Sequence, residues 1–238
     1  LLVGLGLAHQ VLWSGDILLL YGVSALFLYP LRQLPPKIFI GLGITLWVSI
    51  IFLTPYSPLL ELILRAPAMM FIGMGLYRFG VINAQKDPSW YRKMIRRSFI
   101  VGLPLCLVAT GLVEDQESTS YYVINNLAVP FMAMGYVCLI MWICGEGKLR
   151  RVQACLAAAR QIALTNYLTQ TLLGMLLIGA LNNFRGERVT AFWMMVTMLT
   201  IWAIQIMWSV IWMRNFRFGP VEWAWRSATY RRKQPFRK

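Results

Sequence analysis

Charged side chains are scarce in this chain of 238 residues: they make up 13% of it, and only nine of them are acidic. Soluble domains typically contain about 25% charged and about 45–50% apolar residues, whereas this chain is 58% hydrophobic with a mean hydropathy of +0.59. So little charge excludes both a soluble globular surface and intrinsic disorder. The apolar residues form long runs, which predicts an all-α fold, a polytopic transmembrane helix bundle.

Residues that hold metals or form disulfide scaffolds are also few, with one histidine and four cysteines in the whole chain. The cysteines are scattered and form no CxxC pair, so they exclude a disulfide framework and resemble small core residues. No phosphate-binding loop, nucleophile elbow or HExxH motif is present. The sequence therefore predicts no metal site and no bound cofactor.

Eight apolar segments can be drawn, and the first is too short to cross about 30 Å of hydrocarbon. We expect this first segment to be the end of a helix whose beginning is missing. Residues 1–213 would form the transmembrane domain, and residues 214–238 a basic, aromatic tail. The eight segments are 1–13, 16–30, 38–54, 59–83, 98–113, 121–144, 155–181 and 191–213.

The net charge of +14 is concentrated in alternate linkers. Linkers 31–37, 84–97 and 145–154 and the tail are basic, whereas 14–15, 55–58, 114–120 and 182–190 are neutral, acidic or nearly balanced in charge. Basic linkers remain in the cytoplasm, so we predict a multi-pass protein with a cytoplasmic C-terminus that faces anionic lipids. Nucleic acid, the usual partner of a basic soluble protein, is not expected here.

His9 and Asp16 flank a short Ser14–Gly15 turn between the first two segments. A carboxylate that orients an imidazole is typical of general base catalysis, which makes both residues catalytic candidates. An equally simple interpretation is structural: Asp16 would cap the second helix, and His9 would bond a neighbouring carbonyl.

The seventh segment carries polar residues at helical spacing, which would face the bundle interior. They predict either a substrate-binding surface or hydrogen bonds between helices, and we favour the latter. Elsewhere, Glu61 and Arg65 predict an exposed ion pair of little energetic value, and Arg78 is expected to extend toward the membrane surface. The substrate-binding candidates of the seventh segment are Gln161, Thr165, Asn166 and Gln170.

In the tail, Gly219-Pro220 ends one helix and favours the start of another. Tryptophan and phenylalanine alternate with arginine from Arg214 to Arg226. Such a pattern is typical of a short amphipathic helix in the headgroup layer, so we predict an interfacial helix on the inner leaflet.

Three stretches of the chain together resemble a known family. They are Gly15 to Tyr21 preceded by His9, the Ala-Leu-Thr-Asn-Tyr motif from Ala163 to Tyr167, and a C-terminal motif that contains Gly219, Pro220, Glu222, Trp223 and Arg226. The chain resembles the YeiB family of bacterial membrane proteins (domain of unknown function 418). The resemblance implies a bacterial plasma membrane protein whose N-terminal helices are absent here. Family members have Gly-Arg shortly before the Ala-Leu-Thr-Asn-Tyr motif, where this chain has Arg160-Gln161.

The family is distantly similar to membrane acyltransferases of the heparan-alpha-glucosaminide N-acetyltransferase type. This implies that an acyl group could pass from cytoplasmic acyl-CoA, as a cosubstrate, to an acceptor at the outer face. Tyr21 joins the substrate-binding candidates. A small-molecule transporter and a non-catalytic subunit remain as alternatives, as does assembly into a homo-oligomer or a larger membrane complex. Candidates for binding the acyl-CoA phosphates are Arg96, Arg97, Arg150, Arg151 and Arg160.

Overall fold

The computed structural model describes residues 1–53, 58–111, 113, 115, 118–185 and 189–238. Within them lie ten α-helices, a 3₁₀ turn at Pro30–Gln33 and no β-sheet. Parts of the predicted linkers 55–58, 114–120 and 182–190 fall outside the described residues. In chain order the helices are α1 (Leu2–Gln10), α2 (Leu18–Leu28), α3 (Pro36–Leu53), α4 (Pro58–Arg78), α5 (Pro88–Gly111), α6 (Thr119–Gly145), α7 (Arg150–Gln161), α8 (Ala163–Arg185), α9 (Ala191–Asn215) and α10 (Pro220–Thr229).

Five helices among the described residues are long and apolar enough to cross a membrane, namely α3, α5, α6, α8 and α9. Helix α2 is apolar but has only 11 residues. The chain is thus an all-helical membrane protein, as its composition predicts. Lipid offers no partners to backbone N–H and C=O groups, so each span satisfies these groups within its own helix.

The fifth helix begins at Pro88, although its apolar run begins only at residue 98. The Asp87 carbonyl accepts hydrogen bonds from the amides of Trp90 and Tyr91 at 2.9 and 3.2 Å, which starts the helix at the proline. Proline suits the first turn of a helix because its missing N–H would lack a partner there anyway. Most of the basic residues assigned to linker 84–97 therefore lie on the first turns of α5.

The predicted single helix over residues 155–181 is wrong. The chain bends at Ile162, which ends α7 and precedes α8. Ile162 is fully buried and packs with Ala158 and Met213. The apolar run contains no proline or glycine at this point, so the local sequence does not account for the break.

The chain forms two compact units. The amino-terminal unit comprises Leu2–Leu7 and Asp16–Lys148, and the carboxyl-terminal unit comprises Leu1, Ala8–Gly15 and Leu149–Lys238.

In the amino-terminal unit, α3 packs on α4 and α5 packs on α6. Gly102 lets α5 approach α6 closely, because a Cβ at this position would lie 3.1 Å from the backbone nitrogen of Met132. Small residues at such contacts are typical of membrane helices, which associate through close packing rather than through the hydrophobic effect.

In the carboxyl-terminal unit, α9 packs against α7 and α8, and α10 contacts α8. The end of the tail returns to the end of α9, where the amide of Arg217 donates to the Phe236 carbonyl at 3.0 Å. The amide of Lys238 donates to the Asn215 carbonyl at 3.1 Å. The end of the tail is therefore held against the end of α9.

Candidate functional site

His9, the predicted catalytic base, is 3% exposed and belongs to the carboxyl-terminal unit. Its Nε2 atom lies 3.1 Å from Oγ1 of Thr171. Its ring centroid lies 5.2 Å from that of Tyr167, one helical turn away from Thr171 on α8. A hydroxyl can donate or accept, so this contact suits either neutral tautomer of the imidazole. The imidazole is thus held in place by a hydroxyl and an aromatic ring.

Asp16, its predicted partner, belongs to the amino-terminal unit and is 6% exposed. Its Oδ2 atom accepts a hydrogen bond from the amide of Leu19 at 3.1 Å, in the first turn of α2. This confirms that Asp16 caps the helix, as one of the two interpretations expects. A cap can also orient an imidazole, so the pairing of His9 with Asp16 stays a prediction.

Glu222 explains the break between α7 and α8. Its Oε1 atom accepts hydrogen bonds from the amides of Leu164 and Thr165 at 2.6 and 2.9 Å, and its Oε2 atom accepts from Oγ1 of Thr165 at 2.5 Å. The first amides of a helix have no partner within it and carry partial positive charge, which a carboxylate satisfies well. A residue of α10 thus supplies the N-terminal cap of α8.

The other residues of the C-terminal motif support the same contact. A Cβ on Gly219 would lie 2.7 Å from Oγ1 of Thr165 and 2.9 Å from Cβ of Ile162, so only glycine allows this close approach. Trp223 donates from Nε1 to the Gln234 carbonyl at 2.8 Å. The guanidinium of Arg226 lies 4.5 Å from the ring centroid of Phe218. Trp223 and Arg226 therefore hold the tail together, while Gly219, next to Pro220 at the start of α10, lets the tail approach the start of α8.

A buried polar network joins α8 to α9. Asn166 donates from Nδ2 to Oγ of Ser209 at 3.0 Å, and Gln205 donates from Nε2 to the Asn166 carbonyl at 2.6 Å. Thr169 lies 3.4 Å from the same nitrogen of Gln205. These are the interhelical hydrogen bonds that the sequence favours. Sequence reasoning missed Gln205 and Ser209, although two polar residues one turn apart in an otherwise apolar helix were a usable signal.

The predicted polar surface of the seventh segment is only partly assembled. Gln161 belongs to α7 and is exposed, as is Gln170 on α8. Thr165 donates to Glu222, and Asn166 donates to Ser209, as described above. The break at Ile162 changes the rotation of the helix, so the four-residue spacing from Gln161 to Thr165 does not place them on one face of one helix.

Arg65 is the centre of a second polar network, in the amino-terminal unit. It pairs with Glu61 at 2.5 Å and donates from the same nitrogen to Oδ1 of Asn126 at 2.9 Å. Trp47 donates from Nε1 to the Asn126 carbonyl at 2.8 Å. The predicted ion pair is present, but Glu61 is only 13% exposed, and Arg65 also links α4 to α6. Arg78 likewise donates to the carbonyls of Leu34 and Arg32.

A cavity of about 560 Å³ lies beside this network. Its wall is mostly apolar, with Met69 and Met70 of α4 and Val129 of α6 among its residues. Arg65 and Tyr21, a predicted substrate-binding residue that is 43% exposed, also line it. A volume of this size falls within the range of small-molecule sites, about 300–1,000 Å³.

The predicted phosphate-binding arginines are all exposed. Arg96 and Arg97 lie on α5, and Arg96 lines a shallow depression of about 390 Å³ with Ser89, Arg92 and Lys93. Arg150 and Arg151 begin α7, and Arg160 lies near its end.

Shortly before Arg150 in the sequence, Glu146 follows α6 and pairs with Lys148 at 2.6 Å. The hydrogen bond from Lys148 lowers the pKa of the Glu146 carboxyl; desolvation opposes this shift, and a hydrogen bond from Trp142 adds to it.

Comparison with known proteins gives a family and uncharacterised relatives. A family model described as "Protein of unknown function (DUF418)" matches residues 76–232. The chain is 28% identical to "Uncharacterized protein YeiB" of Escherichia coli (strain K12), over 99% of this chain and 75% of the relative. It is 30% identical to "Uncharacterized protein YxaH" of Bacillus subtilis (strain 168), over 64% of this chain and 37% of the relative.

A third relative, "Uncharacterized 39.9 kDa protein in amylase 3'region" of Bacillus acidopullulyticus, is 27% identical over 97% of this chain and 69% of its own length. No solved structure matches the chain.

Proposed function

The chain belongs to the DUF418 family of proteins of unknown function, and from this premise we propose that it is a membrane acyltransferase with His9 as its general base. The acyl donor would be cytoplasmic acyl-CoA, and the acceptor would be an amine or hydroxyl that approaches from the outer face. The chain spans 75% of the length of the Escherichia coli relative and 69% of that of the Bacillus acidopullulyticus relative.

The observation that carries the proposal is the fixed position of the His9 imidazole. A general base must be oriented before the acceptor arrives, and His9 is held by Thr171 and Tyr167 while almost fully buried. His9 would take the proton from the acceptor as its nitrogen or oxygen attacks the thioester carbonyl. The C–S bond then breaks, and the proton passes to the departing CoA thiolate, so the charges balance.

The exposed arginines support a donor site on the side predicted to be cytoplasmic. Guanidinium groups bind phosphates through paired, charge-assisted hydrogen bonds. Arg96 is the strongest candidate, because it shares a depression with Arg92 and Lys93. Arg97, Arg150, Arg151 and Arg160 are further candidates whose side chains are equally accessible.

The transporter alternative rested on the polar surface of the seventh segment, and the structure no longer supports it. The polar surface that would line a path is engaged in hydrogen bonds between α8 and α9, and its outlying members Gln161 and Gln170 are not part of that network. We therefore do not propose transport. A non-catalytic role is the outcome expected if the following experiment fails.

The test measures capture of acyl-CoA by the purified protein in lipid nanodiscs. Acetyl-CoA that carries a photoreactive group should label the protein in a saturable way, and unlabelled acetyl-CoA should compete. In a variant in which Arg92, Lys93 and Arg96 are all replaced by glutamine, unlabelled acetyl-CoA should compete less effectively against labelling. Replacing Arg231, Arg232 and Lys233, which are equally basic and exposed, is the matched control and should leave it unchanged. Labelling that neither saturates nor responds to competitor would contradict the proposal.

A further inference from the structure

The cavity of the amino-terminal unit has one charged group on a mostly apolar wall. Arg65 lies about 10 Å from the start of α4, given a rise of 1.5 Å per residue. Its side chain is 44% exposed, whereas that of its partner Glu61 is 13% exposed. A single charged side chain on a mostly apolar cavity wall is typical of a small-molecule site, where a few polar groups orient the ligand.

Some N–H groups of the Arg65 guanidinium have no acceptor among the described residues. Its ion pair with Glu61 and its hydrogen bond to Asn126 both come from Nη2. A guanidinium has five N–H groups, so Nε and Nη1 keep three donors that no group in the described part of the chain accepts. Glu61 and Asn126 therefore fix the orientation of the guanidinium, while the N–H groups of Nε and Nη1 remain available as separate donors.

Asn126 orients Arg65 from inside the unit. It is fully buried, and its Oδ1 accepts a hydrogen bond from Nη2 of Arg65 at 2.9 Å. The cavity is lined by Arg65 and not by Asn126, so the group that meets a ligand is the guanidinium.

We propose that this cavity binds the carboxylate of a single-chain fatty acid, with Arg65 at the carboxylate and the hydrocarbon chain along the apolar wall. A carboxylate oxygen can accept a charge-assisted hydrogen bond from Nη1 or from Nε. Tyr21 also lines the cavity. The site lies within one unit and does not depend on the proposed acyl transfer.

A fatty acid fits this wall better than a phospholipid does. Glu61 already offsets the charge of Arg65, which favours a ligand with one negative charge over a phosphomonoester with two. A phospholipid would also bring ester and glycerol oxygens, and burying these without partners is unfavourable. Beyond Arg65, the cavity is lined by Tyr21 and Trp47 and otherwise by Leu, Ile, Ala, Met and Val side chains.

The test uses tryptophan fluorescence, because Trp47 lines the cavity. A fatty acid brominated in mid-chain is titrated into the full chain in detergent at alkaline pH, where its carboxyl is ionised. We expect saturable quenching that Trp47→Phe largely removes. Trp202→Phe, which changes a tryptophan exposed on α9, is the matched control and should retain the saturable part.

The head group is tested with the matching brominated methyl ester, which has the same chain without the charge. We expect the ester to bind at least about tenfold more weakly, which corresponds to the loss of one charged hydrogen bond. Arg65→Gln should weaken the acid to the level of the ester.

Equal binding of the acid and the ester would overturn the proposal, and this comparison uses the wild-type protein, so it does not require the variant to fold. Displacement of the acid by an equimolar diacyl phospholipid would also overturn it, in favour of a lipid headgroup. Failure of acyl-CoA capture alone would leave these results unchanged, which separates this proposal from the acyltransferase.

Discussion

Glu222 and Thr165, from helices far apart in the sequence, are joined by two hydrogen bonds: the carboxylate accepts from the Thr165 amide at 2.9 Å and from its hydroxyl at 2.5 Å. This relationship gives a structural reason for the two most distinctive motifs of the chain. The Ala-Leu-Thr-Asn-Tyr motif forms the first turn of α8, and Glu222 of the C-terminal motif caps that turn. The tail is thus an integral part of the carboxyl-terminal unit.

Removing the cap should destabilise the protein. Glu222→Ala leaves the amides of Leu164 and Thr165 without their acceptor, so we expect a loss of about 1–3 kcal/mol in the free energy of unfolding. The measurement is thermal unfolding of the protein in detergent. Glu146→Gln, which changes an exposed carboxylate after α6, is the control. Equal melting temperatures of Glu222→Ala and wild type would contradict the assigned role.

The close approach at Gly219 gives a second stability prediction. Gly219→Ala places a Cβ against Thr165 and Ile162, and the resulting displacement should cost about 1–3 kcal/mol. Backbone strain does not contribute, because Gly219 has a φ of −66° that alanine readily adopts. Gly174→Ala on α8 is the control: nothing lies within 4 Å of its Cβ position, so it should be neutral or slightly stabilising. The contact is misassigned if both variants melt alike.

The bond between Asn166 and Ser209 should appear as an energetic coupling. We expect a double-mutant cycle with Asn166→Ala and Ser209→Ala to give about 0.6 kcal/mol, the average for hydrogen bonds between membrane helices, and at most about 1.7 kcal/mol. As a control, Ser209→Ala can be combined with Thr200→Ala. The hydroxyl of Thr200 is exposed and bonds to its own helix. Additive effects in the first cycle would show that the network does not couple the helices.

Orientation in the membrane follows from the charge of the linkers and stays a prediction. A reporter that is active only in the cytoplasm should work when fused after Lys238, and one active only outside should work when inserted at Glu117. The basic linkers and tail require this arrangement. The reverse pattern at either position would refute the predicted topology.

The sequence predicted the class of fold because long apolar runs with few charges admit only membrane helices. It misplaced the start of α5, where the signal was Asp87-Pro88 rather than the apolar run. It missed the break at Ile162 because Glu222, which caps α8, lies 57 residues from Thr165 in the chain. It underestimated Arg65 for the same reason, since the hydrogen bond to Asn126 depends on how α4 packs against α6.

The most direct test of the proposed function measures CoA release from acyl-CoA by the full-length protein in nanodiscs, with its membrane lipids and added amines as acceptors. Wild type is compared with His9→Ala, Asp16→Asn, the double variant and Asp16→Ser, each checked for an unchanged melting temperature. If His9 is the base and Asp16 orients it, each of the first two changes should lower the rate at least about 100-fold, and the double change should cost little more than either. Asp16→Ser keeps a capping oxygen for Leu19, so it should be as slow as Asp16→Asn. CoA release by His9→Ala at the wild-type rate would contradict the proposal.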